Sequence, residues 1–198
     1  RQRQMCIRDS VGSVTSAVLA ETGMFVTAVD VNSSRVDAVA MGISPISETG
    51  LEKLIGEQVK SGRLAATLDA NNALERADFA LICVGTPTKE GEQTPDLSAL
   101  ESVCLSLAGA LANRSKILRV AVLSTVPPGT IQNFVKPILD SGGQQGVDYS
   151  LAFTPEFLRE GSAIEDSKNP TRFIIGCDHG DGHGYLALRP DLSDRVHH

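Results

Sequence analysis

Short apolar runs alternate with segments of helical period along most of this chain. Uninterrupted apolar strands are buried on both faces, so the runs indicate a parallel sheet covered by helices. The apolar runs lie at 24–29, 79–84, 117–123 and 149–153. Helices are predicted at 13–22, 33–41, 50–60, 96–112 and 129–140. The alternation predicts an α/β fold built on a doubly wound parallel sheet.

Glycine and proline residues place several helix ends. Gly23 follows the first helical segment, and Gly142 and Gly143 follow the last one. Glycine adopts the left-handed conformation that often ends a helix, whereas a proline inside a helix removes a hydrogen bond. We therefore expect the last helix to stop near residue 140 and to be kinked at Pro137.

Both ends of the chain differ from this pattern. Residues 1–10 are polar and basic and look like translated cloning or adaptor sequence, so we interpret them as a foreign leader. The first strand of the sheet is then expected to be lost or replaced, with two unpaired edges beside it. Met5-Cys6-Ile7 is predicted to fill part of that position. The Rossmann-like domain is assigned to 11–176 and an irregular tail to 177–198.

Composition and charge argue against several classes of partner and binding site. The net charge of -6, with Lys and Arg scattered, argues against nucleic acid as a partner. No apolar run reaches the ~20 residues that cross a bilayer, so no membrane association and a cytoplasmic location are expected. The four cysteines form no CxxC pair, and Cys83 and Cys104 are interpreted as core residues. All four histidines lie in the tail without a spacing that fixes metal geometry, so no metal site is predicted.

A dinucleotide site is indicated near the first helix. Gly12 suits the last glycine of a turn that presents helix amides to a pyrophosphate. Asp30 follows eighteen residues later, close to the offset at which a carboxylate binds the adenosine ribose. This spacing predicts NAD rather than NADP, because a carboxylate repels a 2'-phosphate. The alternatives are that Asp30 only caps the next helix and that Arg35 only lies on the surface.

Polar residues also follow the next two strands. Gly85 and Thr86 come after one apolar run, and Ser124 and Thr125 follow the other. Ligands bind at the carboxyl ends of strands in open α/β folds, so these residues are candidates for cofactor contacts. The alternative is that the hydroxyls of Ser124 and Thr125 are ordinary caps of the following helix.

The segment TPEFLREG carries two carboxylates four residues apart. A short helix with Thr154 as its N-cap and Pro155 at its first position is predicted there. Glu156 and Glu160 would then share one face, where like charges favour protonation of one of them. This suits acid or base chemistry, and a solvated surface pair is the alternative.

Five segments carry a specific resemblance to a known family. They are GMFVTAVDVN, MGISPISETGLEKL, ICVGTP, LSTVPPGT and TPEFLREGSAIED, at 23–32, 41–54, 82–87, 123–130 and 154–166. In order and spacing over 11–176, the chain resembles the NAD-binding domain of the UDP-glucose/GDP-mannose 6-dehydrogenase family. DLSALESVC, LSTVPPGT and GVDYSLAFTPEFLRE are somewhat more similar to the GDP-mannose branch. Arg8-Asp9-Ser10 stands where the family has the first two glycines of its turn.

The resemblance implies roles for individual residues. Glu156 resembles the carboxylate that works with Thr125 on a water, and Phe157, Leu158 and Arg159 resemble substrate-binding positions. Glu160 resembles a cofactor contact. The further cofactor-binding positions are Val11, Gly12, Asp30, Arg35, Val84, Gly85, Thr86, Pro87, Ser124 and Thr125.

The resemblance also implies a reaction. The family oxidises the C6 hydroxymethyl of a nucleotide hexose, GDP-mannose or UDP-glucose, to the uronate in two NAD-dependent steps through a cysteine. No cysteine of this chain matches that nucleophile, so the chain is interpreted as a fragment without turnover whose intact parent is a homo-oligomer. A stand-alone NAD-binding or regulatory module is the alternative. Another oxidoreductase, such as a 3-hydroxyacid dehydrogenase, is disfavoured because no histidine lies in the predicted core.

Overall fold

Seven strands and eight α-helices alternate along the described part of the chain. The computed structural model describes residues 2–6, 10–89, 91, 94–112, 114–178, 182–186 and 188, with the backbone alone for 2–6, 10 and 183. The strands are β1 Gln2–Cys6, β2 Phe25–Val29, β3 Leu64–Thr67, β4 Ala77–Ile82, β5 Leu118–Val122, β6 Tyr149–Phe153 and β7 Gly176–Cys177. The helices are α1 Ser10–Glu21, α2 Ser33–Ala40, α3 Leu51–Lys60, α4 Ala70–Glu75, α5 Ser98–Leu111, α6 Lys136–Asp140, α7 Ala163–Lys168 and α8 Gly182–Leu186.

The strands form one sheet in the order β3-β2-β1-β4-β5-β6-β7. Strands β1 to β6 are parallel to their neighbours, and β7 pairs antiparallel to β6. The strand order reverses between β1 and β4, which is the switch point of a doubly wound fold. The predicted fold class is confirmed.

Both faces of the sheet are buried. Alternate residues of β4 enter different clusters, with Phe79 and Leu81 packed against α1 and α3 and Ala80 and Ile82 packed against α5. Each cluster consists mainly of aliphatic side chains that are less than a tenth exposed. Burial on two faces explains why β2, β4, β5 and β6 could be predicted from continuous apolar runs.

The position of the first strand is filled by the polar leader. The backbone of β1 pairs with β2 on one side and with β4 on the other, so the two unpaired edges expected there do not occur. Met5 lies opposite Ala28 and Leu81, and Cys6 lies opposite Val29, as predicted for this apolar run. Ile7 lies outside the described residues.

The last predicted helix changes its winding at the proline. A π-helical turn spans Ile131–Val135 and passes directly into α6. The amide of Lys136 donates to the carbonyl of Ile131, five residues earlier. Pro137 lacks an amide hydrogen, so the predicted disturbance of the helix occurs as this wider turn just before it. The helix stops at Asp140, as expected from the two glycines that follow.

The described part of the tail joins the fold. Tyr185 in α8 is buried, and its hydroxyl lies 2.9 Å from Ser150 Oγ and donates to the Val120 carbonyl at 3.1 Å. Leu188 and Tyr185 are both buried in the hydrophobic cluster that contains Phe79 and Leu81 of β4. Residues 182–186 and 188 therefore pack on the sheet instead of forming an irregular extension, while the domain boundaries themselves stay a prediction. Of the four tail histidines, His183 is described by its backbone and the other three lie outside the described residues.

Candidate functional site

Four polar or small residues come together at one edge of the sheet. Asp30 directly follows β2, Gly85 lies three residues beyond β4, Ser124 lies two beyond β5, and Thr154 directly follows β6. These strands are parallel, so all four residues lie at the carboxyl edge. This edge beside a switch point is where open α/β folds bind ligands.

Asp30 is a buried carboxylate with one oxygen unsatisfied. The residue is 5% exposed, and its Oδ1 accepts a hydrogen bond from the Asn32 amide at 2.9 Å. Its Oδ2 is buried without a hydrogen-bond partner, although Arg35 Nη1 lies 3.5 Å away at ion-pair distance. A buried charged acceptor without a donor is costly, so this oxygen is suited to a ligand hydroxyl.

The capping alternative for Asp30 is wrong. Asn32 is the N-cap of α2, and its side chain accepts from the amides of Ser34 and Arg35. Arg35 is not simply a surface residue either, because its side chain is 38% exposed and faces the Asp30 carboxylate.

A first cavity of about 320 Å³ adjoins Asp30. Val31 and Leu68 line this cavity, and 82% and 56% of their surface is exposed. Val84 and residues of α5 form its floor and wall. An apolar slot beside a carboxylate that lacks a donor fits a flat heteroaromatic base attached to a ribose, so the residues present fit the adenosine part of NAD.

Two hydroxyl groups join the loops after β4 and β5. Thr86 Oγ1 donates to the Thr125 carbonyl at 2.6 Å, and Ser124 Oγ donates to the Val84 carbonyl at 2.6 Å. The Ser124 hydroxyl therefore does not cap the following helix, which excludes that alternative for Ser124. Next to Thr86, Gly85 has open space where a side chain would project, and Pro87 is exposed. These hydrogen bonds fix the two loops, 83–87 and 123–125, relative to each other at the carboxyl edge, and we call the two loops the rim.

The N-terminus of α1 points to the same edge. Val11 and Gly12 lie in its first turn, and Gly12 is buried. Ser16 Oγ donates to the Gly12 carbonyl at 2.6 Å. A 12-residue helix without acidic residues in its first turn presents partial positive charge there, which favours a pyrophosphate.

The prediction that a short helix starts in TPEFLREG is wrong. The structure has an irregular segment there, and the next helix, α7, begins at Ala163. Thr154 Oγ1 donates to the Ile174 carbonyl at 2.9 Å instead of capping, and Glu156 Oε2 accepts from the Leu158 amide at 2.6 Å. Glu156 and Glu160 therefore do not share a helical face.

Two carboxylates outside this irregular segment hold it in place. Asp166 accepts from the Arg159 amide at 3.0 Å and from Arg159 Nε and Nη2 at 3.0 and 2.6 Å. Glu48 accepts from the amides of Gly161 at 2.9 Å and Ala163 at 3.3 Å. Glu48 was not among the predicted residues. It belongs to the segment MGISPISETGLEKL, but nothing local indicates a contact more than a hundred residues away.

The ion pair between Arg159 and Asp166 has a defined pH dependence. Hydrogen bonds from Arg159 hold the pKa of the Asp166 carboxyl well below its usual range. Because this pKa is lower in the folded than in the unfolded state, the ion pair stabilises the folded state in full at any pH above the unfolded-state pKa of about 3.9. This stabilisation is lost as the pH falls through the lower pKa of the folded state.

Asp166→Asn is expected to release the Arg159 side chain at every pH. In wild type, the NMR shifts of the Arg159 amide and Nε–H should stay constant from about pH 7 to about pH 5. In the variant they should approach those of an unpaired arginine throughout this range. Asp37→Asn, a change at an exposed carboxylate on α2, should leave them unchanged. Identical Arg159 shifts in wild type and D166N would contradict the pairing.

A second cavity of about 350 Å³ lies on the opposite side of β4. Its wall includes the predicted substrate-binding residues Glu156, Phe157, Leu158 and Arg159. Glu160 is exposed and does not line it, and neither cavity is lined by Thr86 or Thr125. The predicted residues therefore share one edge of the sheet but divide between two cavities and the rim between them. Among the side chains that the structure describes, no cysteine lines the second cavity.

Three further features concern the described residues. Cys83 and Cys104 are buried, as predicted for core positions. No group of three or more His, Cys, Asp and Glu side chains that could hold a metal ion occurs among the residues described. Within the same part of the chain, no helix has the length and apolar character needed to span a membrane.

A family model and curated relatives match almost the whole chain. The model described as "UDP-glucose/GDP-mannose dehydrogenase family, NAD binding domain" matches residues 9–186. GDP-mannose 6-dehydrogenase from Pseudomonas putida is 40% identical over 92% of this chain and 42% of its own length. UDP-glucose 6-dehydrogenase from Rhizobium meliloti is 38% identical over 87% of this chain and 38% of its own length. The chain thus spans less than half the length of these relatives.

Two solved structures share the fold. The ternary complex of GDP-mannose dehydrogenase from Pseudomonas aeruginosa has a TM-score of 0.91 and 37% identity, covering 98% of this chain and 45% of that one. UDP-glucose dehydrogenase from Pyrobaculum islandicum has a TM-score of 0.87 and 34% identity, covering 94% and 43%.

Proposed function

Because the chain belongs to the UDP-glucose/GDP-mannose dehydrogenase family and matches its NAD-binding domain, we propose that its parent is a nucleotide-sugar 6-dehydrogenase. The parent would oxidise the C6 hydroxymethyl of a nucleotide hexose to the uronate. GDP-mannose is the favoured substrate, with UDP-glucose the alternative, because the GDP-mannose 6-dehydrogenase from Pseudomonas putida is somewhat more similar to this chain, at 40% identity, than the UDP-glucose 6-dehydrogenase from Rhizobium meliloti, at 38%. A cytoplasmic location and a homo-oligomeric parent stay predictions.

The observation that carries the proposal is the unsatisfied oxygen of Asp30. We assign Asp30 Oδ2 to a ribose hydroxyl of NAD, with the base in the cavity between Val31 and Leu68. The first turn of α1, with Val11 and Gly12, would receive the pyrophosphate. The remaining proposed cofactor positions are Arg35 in α2, Val84 in the first cavity, and Gly85, Thr86, Pro87, Ser124 and Thr125 in the two loops.

Glu160 keeps its place as a proposed cofactor contact on sequence alone. The residue is exposed and lies outside both cavities. Support for this position therefore comes from the resemblance, whereas support for Asp30 also comes from its burial and its unsatisfied oxygen.

The second cavity supports the substrate side of the proposal. NAD, when bound, accepts a hydride from the alcohol carbon. Glu156 lines this cavity and is oriented by the Leu158 amide, so its carboxylate can take up the proton of a hydroxyl or orient a water. Phe157, Leu158 and Arg159 would border the hexose. Thr125, on the neighbouring rim, is proposed to help Glu156 place that water.

Calorimetric titration with NAD tests the proposal directly. The 198-residue chain should bind NAD and should bind NADP much more weakly, because a second phosphate would approach the Asp30 carboxylate. Failure to bind NAD by correctly folded protein would overturn the proposal.

Turnover is a separate expectation. No described cysteine side chain lines the second cavity, so this chain with NAD and either GDP-mannose or UDP-glucose should produce no NADH. The same observation favours one alternative, an NAD-binding module without chemistry. Absorbance of NADH after mixing measures the result, and sustained NADH formation would contradict both the expected inactivity and the module.

A further inference from the structure

An arginine is stacked on an aromatic ring at the second cavity. The Arg172 guanidinium carbon lies 6.0 Å from the centre of the Phe157 ring, and both residues line the cavity. Phe157 is 49% exposed, so its ring is accessible at the mouth. A cation–π contact uses the charge of the guanidinium and none of its N–H groups need be consumed by the ring. Arg172 is thereby restrained without losing its hydrogen-bond donors.

Some of the charged side chains that line this cavity form an ion pair with each other, and others do not. Its charged lining residues are Glu156, Arg159, Asp166 and Arg172. Arg159 and Asp166 neutralise each other through a 2.6 Å ion pair. Within the described part of the chain, Arg172 is not in an ion pair with any carboxylate. The cavity therefore offers one guanidinium to an anion, while Glu156 repels anions from its own position.

We infer that Arg172 binds the diphosphate of the nucleotide-sugar substrate. The inference rests on the proposed function and deepens it, because it sets the direction in which the substrate lies. The neutral hexose would face Glu156, and the phosphates would lie toward the stacked guanidinium. An arginine edge suits two phosphate oxygens at once, which a lysine or a glutamine cannot match.

Titration of the 198-residue chain and its variants with GDP-mannose and with UDP-glucose tests this inference. Arg172→Gln should raise the dissociation constant for both ligands by about 10-fold or more, since it removes a charge-assisted contact. Arg172→Lys should give an intermediate value. The loss should shrink at high salt, and inorganic pyrophosphate should compete with either ligand in wild type only. Equal effects on the two nucleotide sugars are expected because the diphosphate is common to both.

Arg63→Gln is the matched control, because Arg63 is exposed in the turn before β3 and lines neither cavity. It should bind both nucleotide sugars as wild type does. NAD affinity should be equal in all variants and reports that the fold is intact. If R172Q binds the nucleotide sugars like wild type, or if wild type binds NAD but neither nucleotide sugar, the role of Arg172 is refuted. If the wild-type chain does not bind NAD, the proposed function itself is refuted.

Discussion

Asp30→Asn is expected to weaken NAD binding by about 30-fold, the largest single effect on the coenzyme site. The substitution keeps the size of the side chain and leaves an oxygen that can accept from the Asn32 amide. It replaces the buried acceptor Oδ2 with an NH₂ group, which cannot accept a hydrogen bond from a ribose hydroxyl. The variant also removes the negative charge that faces Arg35 at 3.5 Å.

The same variant should lose its preference between the two nicotinamide coenzymes. A carboxylate beside the ribose disfavours the 2'-phosphate of NADP, and the neutral amide of D30N would remove that repulsion while leaving the Arg35 guanidinium close by. The ratio of NADP to NAD dissociation constants should therefore fall toward one. Isothermal titration of both coenzymes measures the two effects in one experiment.

Asp37→Asn provides the comparison for this experiment. Asp37 lies on the same element as Arg35, in α2, but is exposed and lines neither cavity. Both variants remove one negative charge from the same region, so a general electrostatic effect would appear in both. Wild-type NAD affinity in D30N, or an equal loss in D37N, would show that Asp30 does not hold the ribose.

The sheet could largely be predicted from sequence because its strands are buried on both faces. Apolar runs containing Val29, Ile82 and Val122 lie in β2, β4 and β5 as expected. The first strand was predicted only at its apolar end, Met5-Cys6, since Gln2-Arg3-Gln4 is polar yet occupies the centre of the sheet. Backbone pairing with β2 and β4 uses main-chain groups that every residue except proline has, so it does not require an apolar sequence.

The candidate site also has one part that could be predicted from sequence and one that could not. The place of Asp30 at the end of β2 could be predicted because it follows from one strand and one turn, while its contact with the ribose stays a prediction. The conformation of 154–162 could not, because it depends on Glu48, which is far away in the chain, and on Asp166 and the Ile174 carbonyl, which follow the segment. A capping residue and a proline indicate a helix only when no distant acceptor captures the same amides. The position of Arg172 over the Phe157 ring was not predicted for a similar reason, since it depends on two separate segments of the chain.

The turn after α6 packs directly against the C-terminal part of α5. At Gly142 the chain passes directly against α5, and a Cβ there would lie 2.0 Å from the carbonyl oxygen of Ala108. This oxygen belongs to helix backbone and cannot move away as a flexible side chain would. Helix α5 also lines the first cavity, so displacement at Gly142 should reach the coenzyme pocket.

Gly142→Ala is accordingly expected to destabilise the fold by about 3 kcal/mol or more, because the overlap forces the two helices apart. Gly109→Ala is the matched control: Gly109 lies in α5 next to Ala108, is exposed, and has open space for a Cβ. That change should instead stabilise by up to about 1 kcal/mol, since alanine favours a helix over glycine. Urea denaturation of both variants measures the difference. A midpoint for G142A equal to that of wild type would show that the turn after α6 does not touch α5 as closely as described.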